Sequence, residues 1–159
     1  MHETSAPDYS DKAAFYHELA GQARALTAGE SDRVANAANV AALVFQALPR
    51  INWAGIYFLR GEELVLGPFQ GKPACVRIPI GRGVCGTAVA EARSQHVDDV
   101  HAFPGHIACD AASRSEVVVP LRDAAGHIIG VLDIDSPEPA RFDAADVSGI
   151  EALAAALDW

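Results

Sequence analysis

Thiols supply the first functional signal in this chain. Its 159 residues hold three cysteines, and the last of them, Cys109, lies in the polar run HIACDAASRSE from His106 to Glu116. An odd number of thiols near acids and histidines, with no export signal, argues against structural staples, because disulfides in reducing compartments are usually catalytic or sensory. The expected chemistry is thiol redox. The reactive form is the thiolate, which forms more readily at a helix N-terminus or beside a cation and less readily beside negative charge. Local electrostatics therefore favour Cys85, placed in the first turn of a short helix in GRGVCGTAVAEA, although a free cysteine in so apolar a segment is also an ordinary small core residue. Cys109 is flanked by Asp110, which opposes ionisation, but its loop is one that a substrate can reach. Cys75, in Pro73-Ala74-Cys75, has no local activator. Cys75 and Cys109 can meet only through the fold.

Acids and aromatic residues form a second group. In VLDIDS, Asp133 and Asp135 are two apart on a strand and share one face, while Leu132 and Ile134 take the other. On the strand before it, Glu116, Val118 and Pro120 share a face. If these strands pair, three acids line one wall near Trp53 and Tyr57. Acids beside aromatic rings suit an ammonium group, through charge pairing and cation–π attraction; the alternative is the solvated face of a sheet. His96, His101 and His106 with Asp98, Asp99 and Cys109 fit no zinc spacing, so no metal is expected. The glycine run from Gly81 to Gly86 offers backbone donors to an anion but is neither a P-loop nor a dinucleotide fingerprint.

The elements that must position these residues follow from periodicity. Residues 1–10 read as a flexible lead-in, and 11–159 as a single domain. Asp11 caps a helix carrying Phe15, Leu19, Ala23 and Leu26, ended by Gly29; a second helix follows Ser31 through Val34, Ala37, Ala38, Ala41, Leu43, Val44 and Leu48 to Pro49. A hairpin follows: NWAGIYFLR alternates, Gly61-Glu62 turns, and Glu63 to Phe69 returns. After the short helix come a short strand from Gln95 to Asp98 and a long loop from Asp99 to Ser113. Strands from Glu116 to Leu121 and His127 to Asp135 precede a last helix over Asp143 to Leu157. Two helices, five or six strands with an inserted helix, and a closing helix predict an α+β fold, an antiparallel sheet covered by helices. A loop so long in so short a chain is usually functional, which places the site beneath it.

Bulk properties exclude several classes. The net charge is −9, which disfavours a nucleic acid backbone or an anionic membrane surface. The N-terminus MHETSAPDYSDK carries acids where a signal peptide needs positive charge, and no apolar run is long enough to span a bilayer. A cytoplasmic protein is expected.

Three longer strings carry a resemblance. GPFQGKPACVRIPIGRGVCGTA (Gly67 to Ala88), VDDVHAFPGHIACDAASRSEVVVPL (Val97 to Leu121) and IIGVLDIDS (Ile128 to Ser136) closely resemble the free methionine-(R)-sulfoxide reductases built on a GAF domain. The similarity runs from Asn52 to Phe142. It implies a GAF-type fold, a central antiparallel sheet of about six strands with helices on both sides, usually a homodimer. It also implies reduction of free methionine (R)-sulfoxide with no bound cofactor, thioredoxin returning the electrons. On this chain the resemblance makes Cys109 the attacking thiol, Cys75 its resolving partner and Cys85 a supporting or alternate cysteine. Glu116, Asp133 and Asp135 would hold the substrate, with Trp53 and Tyr57 as its aromatic wall. Helix electrostatics and the family pattern thus nominate different thiols. A non-catalytic GAF module that senses a small ligand or redox state is the rival reading, since one scaffold hosts many activities.

Overall fold

Strand alternation divides this molecule into two apolar layers separated by one sheet. The computed structural model describes residues 8–159. Helix α1 (Lys12–Thr27) and α2 (Arg33–Ala47) precede β1 (Trp53–Arg60), β2 (Glu63–Gln70) and β3 (Arg77–Pro79). Then follow α3 (Gly83–Glu91), β4 (Gln95–Val97), a 3-10 turn at Val100–Ala102, β5 (Ser115–Arg122), β6 (Ile128–Ser136) and α4 (Ala144–Ala155). The sheet order is β3-β2-β1-β6-β5-β4, antiparallel at every step. This is the expected α+β architecture.

On one face Ala54, Ile56 and Phe58 of β1, Val117, Val119 and Leu121 of β5, and Leu132 and Ile134 of β6 pack into a core with α1, α2 and α4. Removing such side chains from water supplies the main driving force for folding. On the other face Trp53, Tyr57, Val118 and Val131 pack with Val84, Cys85 and Ala88 of α3. One helix therefore covers part of this face, and the loops that carry Cys75 and Cys109 complete the cover over the acids. The α1–α4 contact depends on Gly149, whose missing Cβ would fall 2.1 Å from the Tyr16 ring.

Two departures from sequence expectation have physical causes. Strand β3 is only three residues long and ends in Pro79, too short to give a period, and it forms by pairing Leu64 with Ile78. Val34, read as part of the buried stripe of α2, is exposed, as is Ala38; the helix turns Asn36 and Val40 inward instead, beside Ala37 as expected. Of the expected lead-in, residues 1–7 lie outside the described residues, while Tyr9 sets its ring edge-on to Phe15 and donates its hydroxyl to Asp146.

Buried Asp146 also accepts from Tyr16 Oη at 2.8 Å and Lys12 Nζ at 2.8 Å, and closes a capping box with Asp143 at the start of α4. Burial pushes its carboxyl up, but these donors, Lys12 first, outweigh burial and bring it down to about 2. This node ties α1 to α4 behind the sheet, away from the thiols.

Candidate active site

Register sets the acids. Glu116 on β5 stands opposite Asp135 on β6, which in turn stands opposite Trp53 on β1; Asp133 lies between Val118 and Gly55. Because the strands pair in this register, Glu116, Asp133 and Asp135 all project toward the α3 face with Trp53 and Tyr57. Trp53 stacks on Phe69 with ring centroids 5.3 Å apart and on Tyr57 at 6.0 Å. Its indole N–H donates to the Lys72 carbonyl at 3.1 Å, and Tyr57 Oη donates to the Cys75 carbonyl at 2.9 Å. The aromatic wall thereby holds the loop that carries Cys75.

The long loop closes the site. Asn52 Nδ2 donates to Asp110 Oδ2 at 3.3 Å and to Ser113 Oγ at 3.2 Å, while Asp110 Oδ1 accepts from the Ala112 N–H at 2.8 Å. Asp110, which the sequence presents as a brake on Cys109 ionisation, thus anchors the turn after it. So fixed, Cys109 meets Cys75 in a disulfide with Cα atoms 5.4 Å apart, across a sequence separation of 34 residues. Both residues are partly exposed.

Cys85 is the free thiol and is buried. Its Sγ donates to Asp133 Oδ2 at 3.3 Å and lies 4.0 Å from Glu116 Oε1. Burial first, then the charges of Asp133 and Glu116, push this thiol far above its ordinary range. The activation expected from the start of α3 is therefore overridden: a helix dipole is worth at most about 2 kcal/mol, less than desolvation beside two carboxylates.

The acids share that environment. Burial and the neighbouring carboxylates raise Glu116 well above the usual range; Asp135 is raised by burial, then by Asp133 and Asp110. Burial raises Asp133 to about 6, against the opposing hydrogen bonds from Glu116 and Cys85. At neutral pH this arrangement holds a proton on Glu116 directed at Asp133. Among the described residues, the only basic group paired with any of the three is His106, whose Nε2 lies 4.0 Å from Glu116 Oε2. Burial and then His101 lower the His106 pKa, so the ring is neutral at neutral pH.

These groups line one cavity of about 40 Å³: Trp53 and Tyr57, Cys85 and Cys109, the three acids, His106 and Ile107, and the Gly83-Val84 start of α3. Such a volume holds only a few waters, each needing about 10–15 Å³. Sequence reasoning assigned His106 no role in the site, although its place three residues before Cys109 in the same loop was the available clue. Ile107, Asn52 and Ser113 gave no chemical signal at all.

A GAF domain is what this fold and site define, and that family matches residues 34–157. The free methionine-R-sulfoxide reductase of Escherichia coli is 55% identical over 148 residues, covering 93% of this chain and 89% of its own. The chain belongs to the GAF-domain family of free methionine-R-sulfoxide reductases. Among solved structures, the Neisseria meningitidis free methionine-R-sulfoxide reductase in complex with its substrate superposes with a TM-score of 0.91 at 48% identity, covering 98% of this chain and 93% of that one. A Burkholderia vietnamiensis protein described as a GAF sensor superposes at 0.88 with 63% identity, covering 92% of each chain.

Proposed function

We propose that this protein reduces free methionine (R)-sulfoxide to methionine through Cys109, with Cys75 as the resolving thiol. The carrying observation is the Cys75–Cys109 disulfide at the edge of an acid-lined cavity with an aromatic wall. In the reduced state Cys109 attacks the sulfoxide sulfur. A sulfoxide oxygen leaves poorly until it takes a proton or a strong hydrogen bond, and Glu116, kept protonated by its surroundings, is placed to give it. Cys109 Sγ bonds to the substrate sulfur as the protonated S–O bond breaks and water leaves; a water then attacks Cys109 Sγ, the S–S bond breaks, methionine departs and Cys109 is left as a sulfenic acid. Cys75 attacks that sulfur, water leaves, and the disulfide seals the site before further oxidation can occur.

Selectivity for the free amino acid rests on charge at both ends. The carboxylates offer a seat for the α-ammonium, and Trp53 a face for it. The N-cap of α3, Arg82, makes no side-chain capping bond, and backbone N–H groups at the start of a helix favour an anion, here the α-carboxylate. A peptide-bound residue has neither charge.

Regeneration requires a dithiol reductant, for which we infer thioredoxin, in the cytoplasm and acting on a homodimer; partial exposure of Cys75 gives the reductant a target. No helix among the described residues is long and apolar enough to cross a membrane. Thioredoxin-coupled NADPH consumption with free R, free S and peptide-bound sulfoxide tests substrate and reductant together. Turnover on the free R epimer alone is expected. The similarity to a described GAF sensor favours one rival, a ligand-sensing module, which predicts tight ligand binding with no methionine released from any epimer.

A further inference from the structure

The thiol and acids beneath the disulfide have the spacing of a metal site. The candidate donor atoms of Cys85, Glu116 and Asp133 all lie within 4.8 Å of one another. Cys85 Sγ is 3.3 Å from Asp133 Oδ2 and 4.0 Å from Glu116 Oε1, and His106 Nε2 is 4.0 Å from Glu116 Oε2. A tetrahedral zinc ion, with bonds of about 2.3 Å to sulfur and 2.0–2.2 Å to nitrogen and oxygen, sets donor-to-donor edges of roughly 3.3–3.5 Å. The Cys85–Asp133 pair already meets that edge, the Cys85–Glu116 pair needs contraction by about half an ångström, and the Glu116–Asp133 pair by at most about 1.4 Å.

An independent observation points to a missing cation. Apart from the proton on Glu116, which a cation would displace, Asp133 Oδ1 is buried without a hydrogen-bond partner, on a residue only 6% exposed that lines the cavity. A buried acceptor left unsatisfied is costly, and a cluster of acids facing it without a lysine or arginine deepens the cost. No ion pair from a lysine or arginine reaches Glu116, Asp133 or Asp135 among the described residues.

We propose that Cys85, Glu116 and Asp133 bind a soft divalent cation of the zinc class, its fourth position left to water, and that the ion inhibits by occupying the seat of the substrate ammonium. Binding stands on the geometry alone; inhibition rests on the reductase reading. The thiolate selects the ion, since magnesium and calcium prefer all-oxygen sites. The site differs from the loop histidines that the sequence offered: its ligands come from α3, β5 and β6. It is also separate from the redox pair, because Cys85 stays free while Cys75 and Cys109 are joined.

That separation permits a clean test. In the oxidised protein Cys85 is the one remaining thiol, so a cadmium–thiolate charge-transfer absorbance can arise there alone. Titration of oxidised protein with Cd²⁺, without sulfoxide or thioredoxin, should give one ion per chain with that band. Cys85→Ala should abolish the band, and Glu116→Gln, which keeps shape and thiol, should weaken binding roughly tenfold or more. Zn²⁺ should displace Cd²⁺ while excess Mg²⁺ does not. Absence of the band with excess Cd²⁺, or stoichiometric binding unchanged in Cys85→Ala and Glu116→Gln, overturns the site. For the inhibitory arm, Zn²⁺ should lose potency as free sulfoxide rises; inhibition indifferent to sulfoxide overturns that arm and leaves the binding result standing. A protein without turnover that still shows the Cys85 band refutes the reductase reading alone.

Discussion

Glu116 and Asp135 face each other directly across the β5–β6 ladder. Like charges at opposed positions destabilise a sheet, so the pair persists only by keeping protons or by holding a cation between its members. Asp133, one pleat along β6 on the same face, adds a third carboxyl to the same choice. On the proposed function, the same residues would serve as proton reservoir and as cation seat for a sulfoxide substrate.

The first prediction concerns pH. Asp133, at about 6, and Glu116 and Asp135, raised further, bind more protons in the folded chain than in the unfolded one, where carboxyls titrate near ~4. Stability must then fall as pH rises above ~4 and keep falling through and beyond the folded value of Asp133. Melting temperature of the ligand-free oxidised protein should be higher near pH 5 than near pH 8, by an amount on the order of a few kcal/mol in free energy. L-Methionine should reduce the difference by supplying a counter-charge. A flat or rising profile contradicts the buried-proton picture.

The second separates charge from shape. Asp133→Asn removes a buried negative charge while its amide oxygen can still accept from Cys85. Thermal stability should rise by about 1 kcal/mol, since relief of functional strain commonly stabilises. KM for the free sulfoxide should rise at least about tenfold, the loss of one charge-assisted contact. A variant that gains stability and retains KM would remove Asp133 from substrate binding.

The third orders the thiols. In reduced protein, iodoacetamide should label Cys75 and Cys109 well before Cys85, which is buried and held in its thiol form by Asp133 and Glu116. Peptide mapping after timed quenching reads the order, and in denaturant the difference should vanish. Early labelling of Cys85 in the native protein would restore the helix-terminus argument.

The fourth follows the sulfenic acid. Cys109→Ser should release no methionine, whereas Cys75→Ser should release about one equivalent and leave a sulfenic acid that dimedone traps on Cys109. Continuous turnover in Cys75→Ser, with Cys85 as the partner, would reassign resolution.

These residues were unequally legible in the sequence. Period-two alternation put Asp133 with Asp135 on one face of their strand and Trp53 with Tyr57 on one face of theirs, because a pleat admits only two directions; that the two faces coincide follows from the β1–β6 register. Pairing of Cys75 with Cys109 is a property of two irregular loops, and only family likeness suggested it. For Cys85 the sequence offered both an activated thiol and a buried core residue; helix position is local and favoured the first, whereas the carboxylates that suppress it come from β5 and β6. Asn52 and Ser113, which hold the long loop, carry no pattern at all; their role exists only after folding. The same is true of His106, visible as a histidine but not as a wall of the cavity.

Gly55 supplies the last prediction, because its missing side chain fixes the aromatic wall. It faces Asp133 across β1 and β6, and a Cβ there would fall 2.4 Å from Trp53 Cη2 and 2.5 Å from Phe69 Cβ. Neither neighbour is the free end of a flexible chain, since Trp53 is clamped by Phe69, Tyr57 and its bond to the Lys72 carbonyl. Gly55→Ala must therefore push the indole toward the cavity, at a cost of about 1–3 kcal/mol for overpacking. Substrate binding should suffer most: KM should rise severalfold or more, and because the indole also holds the Cys75 loop through the Lys72 carbonyl, reduction of the disulfide by thioredoxin should change by a smaller factor. Gly21→Ala on α1, where the added methyl meets nothing closer than Arg24 Nη2 at 3.9 Å, should leave KM untouched and stabilise by up to about 1 kcal/mol. Equal kinetics for the two variants would show that Trp53 does not shape the substrate seat.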